Sequence, residues 1–71
     1  MRQRKIRMDY GKRIRKRREE LGLTQVEVAE RSGVAQSHLS GIELGKHTAV
    51  KIITLQRVAL ALECKVGELV D

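Results

Sequence analysis

An all-α fold is predicted by three features of the 71-residue sequence: it has no proline, no alternating run of β-branched residues, and glycines at 22, 33 and 45 where helices would end. Five helices joined by short turns are expected. Asp9 caps the first, which runs to about Leu21; Gly22 follows, and glycine takes the left-handed conformation at a helix end without strain. Thr24 opens the second. In Thr24-Gln25-Val26-Glu27 the hydroxyl can accept from the amide three residues on while Glu27 reaches back, a capping box, and Gly33 closes the helix. The third runs from Gln36 to about Leu44, with Leu39 and Ile42 on one face and Gly45 after it. A fourth spans roughly Val50 to Leu62, and a last turn, Val66 to Val70, packs Leu69 back.

The fourth helix carries two apolar stripes. At the ordinary helical twist Leu55, Val58, Ala59 and Leu62 fall together, a core stripe with Ile52 at its edge. Ile53, Leu60 and Cys64 lie within about 40° of each other on the opposite side. Two readings stand for this second stripe: a face on which the chain associates with itself, or scattered surface residues that need no explanation.

Size and composition exclude several functions. A chain this short buries only about 60% of its extended surface, so a deep enzymatic cleft or a sensor pocket beside the core is not expected. One cysteine, Cys64, allows no intrachain disulfide, and with His38 and His47 it makes no zinc site, so neither a metal nor a cofactor is expected. No nucleophile has a plausible base and orienting group, so the chain reads as a non-enzyme. The basic start has no apolar run behind it and no stretch is long enough to span a bilayer; the expected location is the cytoplasm.

The net charge of +6 is localised. Residues 2–18 hold ten bases and one acid, whereas residues 19–71 hold five bases and eight acids. Such a patch suits phosphate neutralisation or an anionic membrane surface. Residues 1–8 read as a basic arm before a domain at 9–71; Arg4, Lys5 and Arg7 within it are candidates for phosphate contacts, the alternative being a solvated tail.

The spacing Gln25, Ala29, Gly33, Leu39, Ile42 describes two helices docked through a tight turn. Ala29 is small where the helices must approach, Gly33 permits a positive φ, and Val34, Leu39 and Ile42 hold the next helix in place. This is a helix-turn-helix. Together with Ile14 to Ala29, Leu39-Ser40-Gly41-Ile42-Glu43-Leu44-Gly45-Lys46 and Val58-Ala59-Leu60-Ala61-Leu62, it resembles the phage-repressor and Cro-like helix-turn-helix family over about residues 10–70.

The resemblance implies a compact five-helix lambda-repressor-like domain whose third helix enters the DNA major groove, commonly as a dimer on a symmetric operator. It places Gln36, Ser37, Ser40 and Gly41 at base-reading positions; an amide such as that of Gln36 can bond N6 and N7 of adenine together. It places Gln25, Lys46 and Arg18 on phosphates. It also pairs Arg18 with Glu43, a structural tie for a charge drawn inward by Tyr10, Ile14 and Leu21. Several positions depart from the family pattern: Ala35 at the cap of the third helix, Gly41 within it, Arg17 where an apolar residue is usual, and Lys65 at the cap of the last turn.

A sequence-specific double-stranded DNA-binding regulator, a repressor or small controller protein acting as a homodimer, is the function expected, with RNA polymerase a further partner for an activator. The alternative is an antitoxin-like module that binds a toxin or other chain through Ile53, Leu60 and Cys64, with DNA secondary. Tyr10 alone gives no stacking platform for single-stranded RNA.

Overall fold

Apolar spacing and glycine punctuation give five helices among the described residues: α1 (Tyr10–Glu20), α2 (Gln25–Ser32), α3 (Gln36–Glu43), α4 (Ile52–Ala61) and α5 (Val66–Leu69). The computed structural model describes residues 10–47 and 49–69, so the expected caps and ends at Asp9 and Val70 lie outside the described residues. Helix α2 packs against both α3 and α4, α1 against α3, and α5 closes the bundle on α1 and α4.

Both halves of the expected capping box form: Thr24 Oγ1 accepts from the Glu27 amide at 3.1 Å, and the Thr24 amide donates to Glu27 Oε1 at 2.8 Å. Gly33 ends α2 with a φ of 76°. Ser32, buried, accepts the Val34 amide at 3.1 Å and so satisfies a donor within the turn. The helix-turn-helix is therefore tied by side chains as well as by glycine.

Three helix ends share one arrangement. After α1, α3 and α4 a residue of positive φ is followed by an amide that reaches back five residues: Leu23 to Arg18, Lys46 to Gly41 and Cys64 to Ala59. These are Schellman closures, which satisfy the last carbonyls of each helix. Glycine supplies the left-handed residue at 22 and 45; Glu63, with a φ of 57°, supplies it at the end of α4.

That closure corrects two expectations for α4. The helix starts at Ile52 rather than Val50 and ends before Cys64, so the stripe Ile53, Leu60, Cys64 does not exist as one face. Cys64 lies past the left-handed turn, half-buried against the core, while Leu60 is 81% exposed and Ile53 48% exposed. Ile52, expected at the edge of the core stripe, is also exposed. The core stripe itself, Leu55, Val58, Ala59 and Leu62, is buried. It joins Ile14, Val28, Leu39, Ile42 and Leu69 in one cluster, each aliphatic side chain contributing about 1.5–3 kcal/mol by leaving water.

No basic residue lies in the last turn of α4; other helices supply the positive charge. Arg17 of α1 donates through Nε to the Leu62 carbonyl at 3.0 Å and through Nη2 to that of Glu63 at 3.2 Å. Arg31 of α2 donates to the Ala61 carbonyl at 3.4 Å and lies 3.6 Å from the Glu63 carboxylate. Both guanidinium groups meet the negative end of the α4 dipole. This explains Arg17 where an apolar residue is usual: its charge joins α1 to the end of α4.

Candidate nucleic-acid interface

The candidate surface is the outer side of α3 with the loop that follows it. Leu39 and Ile42 are fully buried and anchor the helix, which leaves Gln36, Ser37 and His38 exposed in its first turn. Ala35 stands at the cap without a side-chain hydrogen bond, so the first amides of α3 are not capped by a neighbouring side chain. Ser40 is half-buried one turn on.

Gly41 is placed differently from the expectation that it meets a base. It is buried, because the ring of His47 lies over it: a Cβ on Gly41 would stand 2.6 Å from His47 Nε2. The two histidines meet edge to face, with ring centroids 5.0 Å apart and planes at 88°. His47 thus belongs to the surface of α3 although it lies outside the helix. Sequence reasoning missed it, since the contact depends on the path of the loop; the glycine inside a helix was the only signal.

Beneath this surface lies a polar tie. Arg18 Nε donates to Glu43 Oε2 at 2.8 Å and Nη2 to Glu43 Oε1 at 2.9 Å, while Nη1 donates to the Leu23 carbonyl at 2.9 Å. The Gln25 side chain donates through Nε2 to Glu43 Oε1 at 3.0 Å. One carboxylate therefore binds α1 and α2 to the end of α3. Hydrogen bonding to Glu43 raises the pKa of Arg18 against the opposing effect of burial.

The placement sorts the expected phosphate contacts. The Arg18 side chain is only 13% exposed, and its Nε, Nη1 and Nη2 each donate within the domain, which is the expected structural tie. Gln25 is half-buried, with one amide hydrogen committed to Glu43 and a second left for another acceptor. Lys46 is exposed beside the turn after α3. Arg4, Lys5 and Arg7 lie outside the described residues. Much of the basic charge of α1 is also engaged internally: Arg15 pairs with Glu19 at 3.2 Å, and Arg17 and Arg18 make the bonds described above. Lys12 and Lys16 are exposed.

Among the described residues, no cluster of three His, Cys, Asp or Glu side chains could hold a metal ion, and no helix is long and apolar enough to cross a membrane.

A helix-turn-helix family profile matches residues 14–69, which include all of α2, α3 and α4. The chain belongs to the helix-turn-helix family. Within it, the chain is 41% identical over 61 residues to the transcriptional regulator SinR of Bacillus subtilis, a match covering 86% of this chain and 55% of SinR. It thus spans about half the length of that relative. The crystal structure of SinR, master regulator for biofilm formation, in complex with DNA superposes with a TM-score of 0.84 at 40% identity, covering 87% of this chain and 98% of that one. The restriction-modification controller protein C.AhdI of Aeromonas hydrophila superposes with a TM-score of 0.81 at 32% identity, covering 87% of this chain and 92% of that one. Both relatives are named as regulatory proteins.

Proposed function

We propose that this chain is a sequence-specific double-stranded DNA-binding transcriptional regulator that sets the first turn of α3 in the major groove. One observation carries the reading: Gln36 and Ser37 stand exposed on a helix whose other side is held by Leu39, Ile42 and the Arg18–Glu43–Gln25 tie. A reading surface must keep its geometry when bases are compared, and buried apolar contacts with a satisfied ion pair supply that rigidity. Gln36 reads adenine through its two-way amide, Ser37 and Ser40 supply hydroxyls, and Lys46, Gln25 and the basic residues Arg4, Lys5 and Arg7 neutralise phosphates. The similarity to SinR, solved on DNA, supports the same docking. Two chains associate through the exposed Ile53 and Leu60 of α4, which puts a second α3 on the same face of the duplex. The family membership and the basic composition support a place in the cytoplasm beside DNA.

Selection of duplexes from a random pool at near-physiological salt, followed by titration against a scrambled duplex, tests the proposal. A two-fold symmetric site with half-sites about 34 Å apart, preferred by ~10³ or more, is the expected result. Equal and steeply salt-dependent binding to every duplex would reduce the interaction to phosphate neutralisation. Sedimentation of the native chain and Leu60→Glu tests the association: a strict monomer in both removes the dimer.

A further inference from the structure

The path of the loop after α3 is fixed at three points. Gly45, at a φ of 77°, turns the chain; the Lys46 amide closes on the Gly41 carbonyl at 2.9 Å; and the Tyr10 hydroxyl donates to the His47 carbonyl at 3.1 Å. These ties bring the His47 ring back over α3, where it occupies the volume in which a side chain at 41 would begin. The same ring meets His38, which lies one turn before Gly41 on the helix. Both histidines are exposed, as are Gln36 and Ser37 in the first turn of the same helix.

The gap at Gly41 is therefore filled from outside the helix. Glycine costs about 1 kcal/mol in a helix interior, and here its use is that nothing larger leaves room for the ring. An imidazole brings what glycine lacks, an N–H donor and, when neutral, an acceptor nitrogen in one rigid ring. A purine presents N7 as an acceptor in the major groove, and guanine adds O6.

We propose that His47 acts as a reading side chain lent to α3 by the following loop, and that with His38 beside it, it recognises a purine edge in the major groove. The proposal rests on the DNA-binding reading above and adds a specificity-determining residue to it. Tyr10 holds the main chain rather than the ring, so the loop keeps its anchor when the side chain at 47 is removed.

The test uses the full chain, the duplex selected by the native protein, and a scrambled duplex at the same salt. His47→Ala is expected to weaken binding to the selected duplex by about tenfold while leaving the scrambled duplex nearly unchanged. Replacing purines of the selected site one at a time with 7-deaza analogues, which lack N7, is expected to weaken the native chain at one position per half-site and to leave His47→Ala indifferent there. Gly41→Ala, which displaces the ring without altering the histidine, is expected to give the same pattern. Equal loss on both duplexes would make His47 a phosphate contact and overturn the assignment, as would unchanged binding by His47→Ala. Insensitivity of the native chain to every 7-deaza substitution overturns it without recourse to a variant. Failure of the native chain to prefer any duplex strikes the DNA-binding reading itself, a distinct outcome.

Discussion

The Arg18 guanidinium spans both oxygens of the Glu43 carboxylate, at 2.8 and 2.9 Å, with the Glu43 side chain only 2% exposed. Two charges held this far from water pay a desolvation penalty, so the pair adds little net stability over an apolar substitute; removing one partner is costly because the other stays buried and uncompensated. Glu43→Ala is therefore expected to cost about 3 kcal/mol or more, a fall in melting temperature of at least about 10 °C for a chain of this size. The double variant Arg18→Met, Glu43→Leu should recover much of that loss. Thermal melts of the three proteins check it, and an unchanged melt for Glu43→Ala would remove the tie from the account of α3.

Gly11 touches the backbone of another helix. A Cβ there would run into the Ile42 carbonyl oxygen, and neither main chain can yield as a flexible side chain would. Gly11→Ala would ordinarily stabilise a helix interior by about 1 kcal/mol. The close approach of α1 to α3 reverses the sign, with a loss of about 2 kcal/mol expected. A urea titration decides the matter, because propensity and collision predict opposite movements of the midpoint.

Glu63 closes α4 in the left-handed region at a φ of 57°. A side chain with a Cβ pays about 1 kcal/mol or more for that conformation, and glycine does not. Glu63→Gly also loses the contact with Arg31, but that pair is exposed and contributes little. A net gain of about 0.5–1 kcal/mol is expected, read as a higher urea midpoint with an unchanged slope. A lower midpoint would mean that the Arg31 contact matters more than the strain.

Burial pushes the Cys64 thiol above its ordinary pKa, and the neighbouring Glu68 carboxylate adds to the shift while Arg17 opposes it. The thiolate is the reactive form, so at a given pH less of Cys64 is available to an alkylating reagent than in an unfolded chain. Its rate of alkylation is expected to rise with pH through an inflection above that of a model thiol. A faster reaction than the model thiol near neutrality would contradict this.

Local chemistry was legible in the sequence wherever the partners lie within a few residues of each other. The Thr24–Glu27 box, the positive φ at Gly22, Gly33 and Gly45, and the buried stripe of α4 follow from hydrogen-bond reach, the absence of a Cβ and helical periodicity. The same periodicity misplaced Cys64, because a helical wheel does not register a left-handed residue that ends the helix. The charge pattern was legible only in part: the excess of bases before residue 19 is real, yet several of those in α1 bind carboxylates and carbonyls of the domain itself.

The sequence by itself determined an all-α chain, the helix-turn-helix and its glycine turns, and the polar, exposed first turn of α3, since each depends on residue types at short, regular spacing. Tertiary structure alone decided that Arg17 would close α4 across 45 residues, that Gly11 would admit the backbone of α3, and that His47 would lie over Gly41. These contacts depend on where separate helices and loops arrive in space. A one-dimensional spacing carries no record of such meetings, even when, as at Gly41, it shows that a side chain is missing.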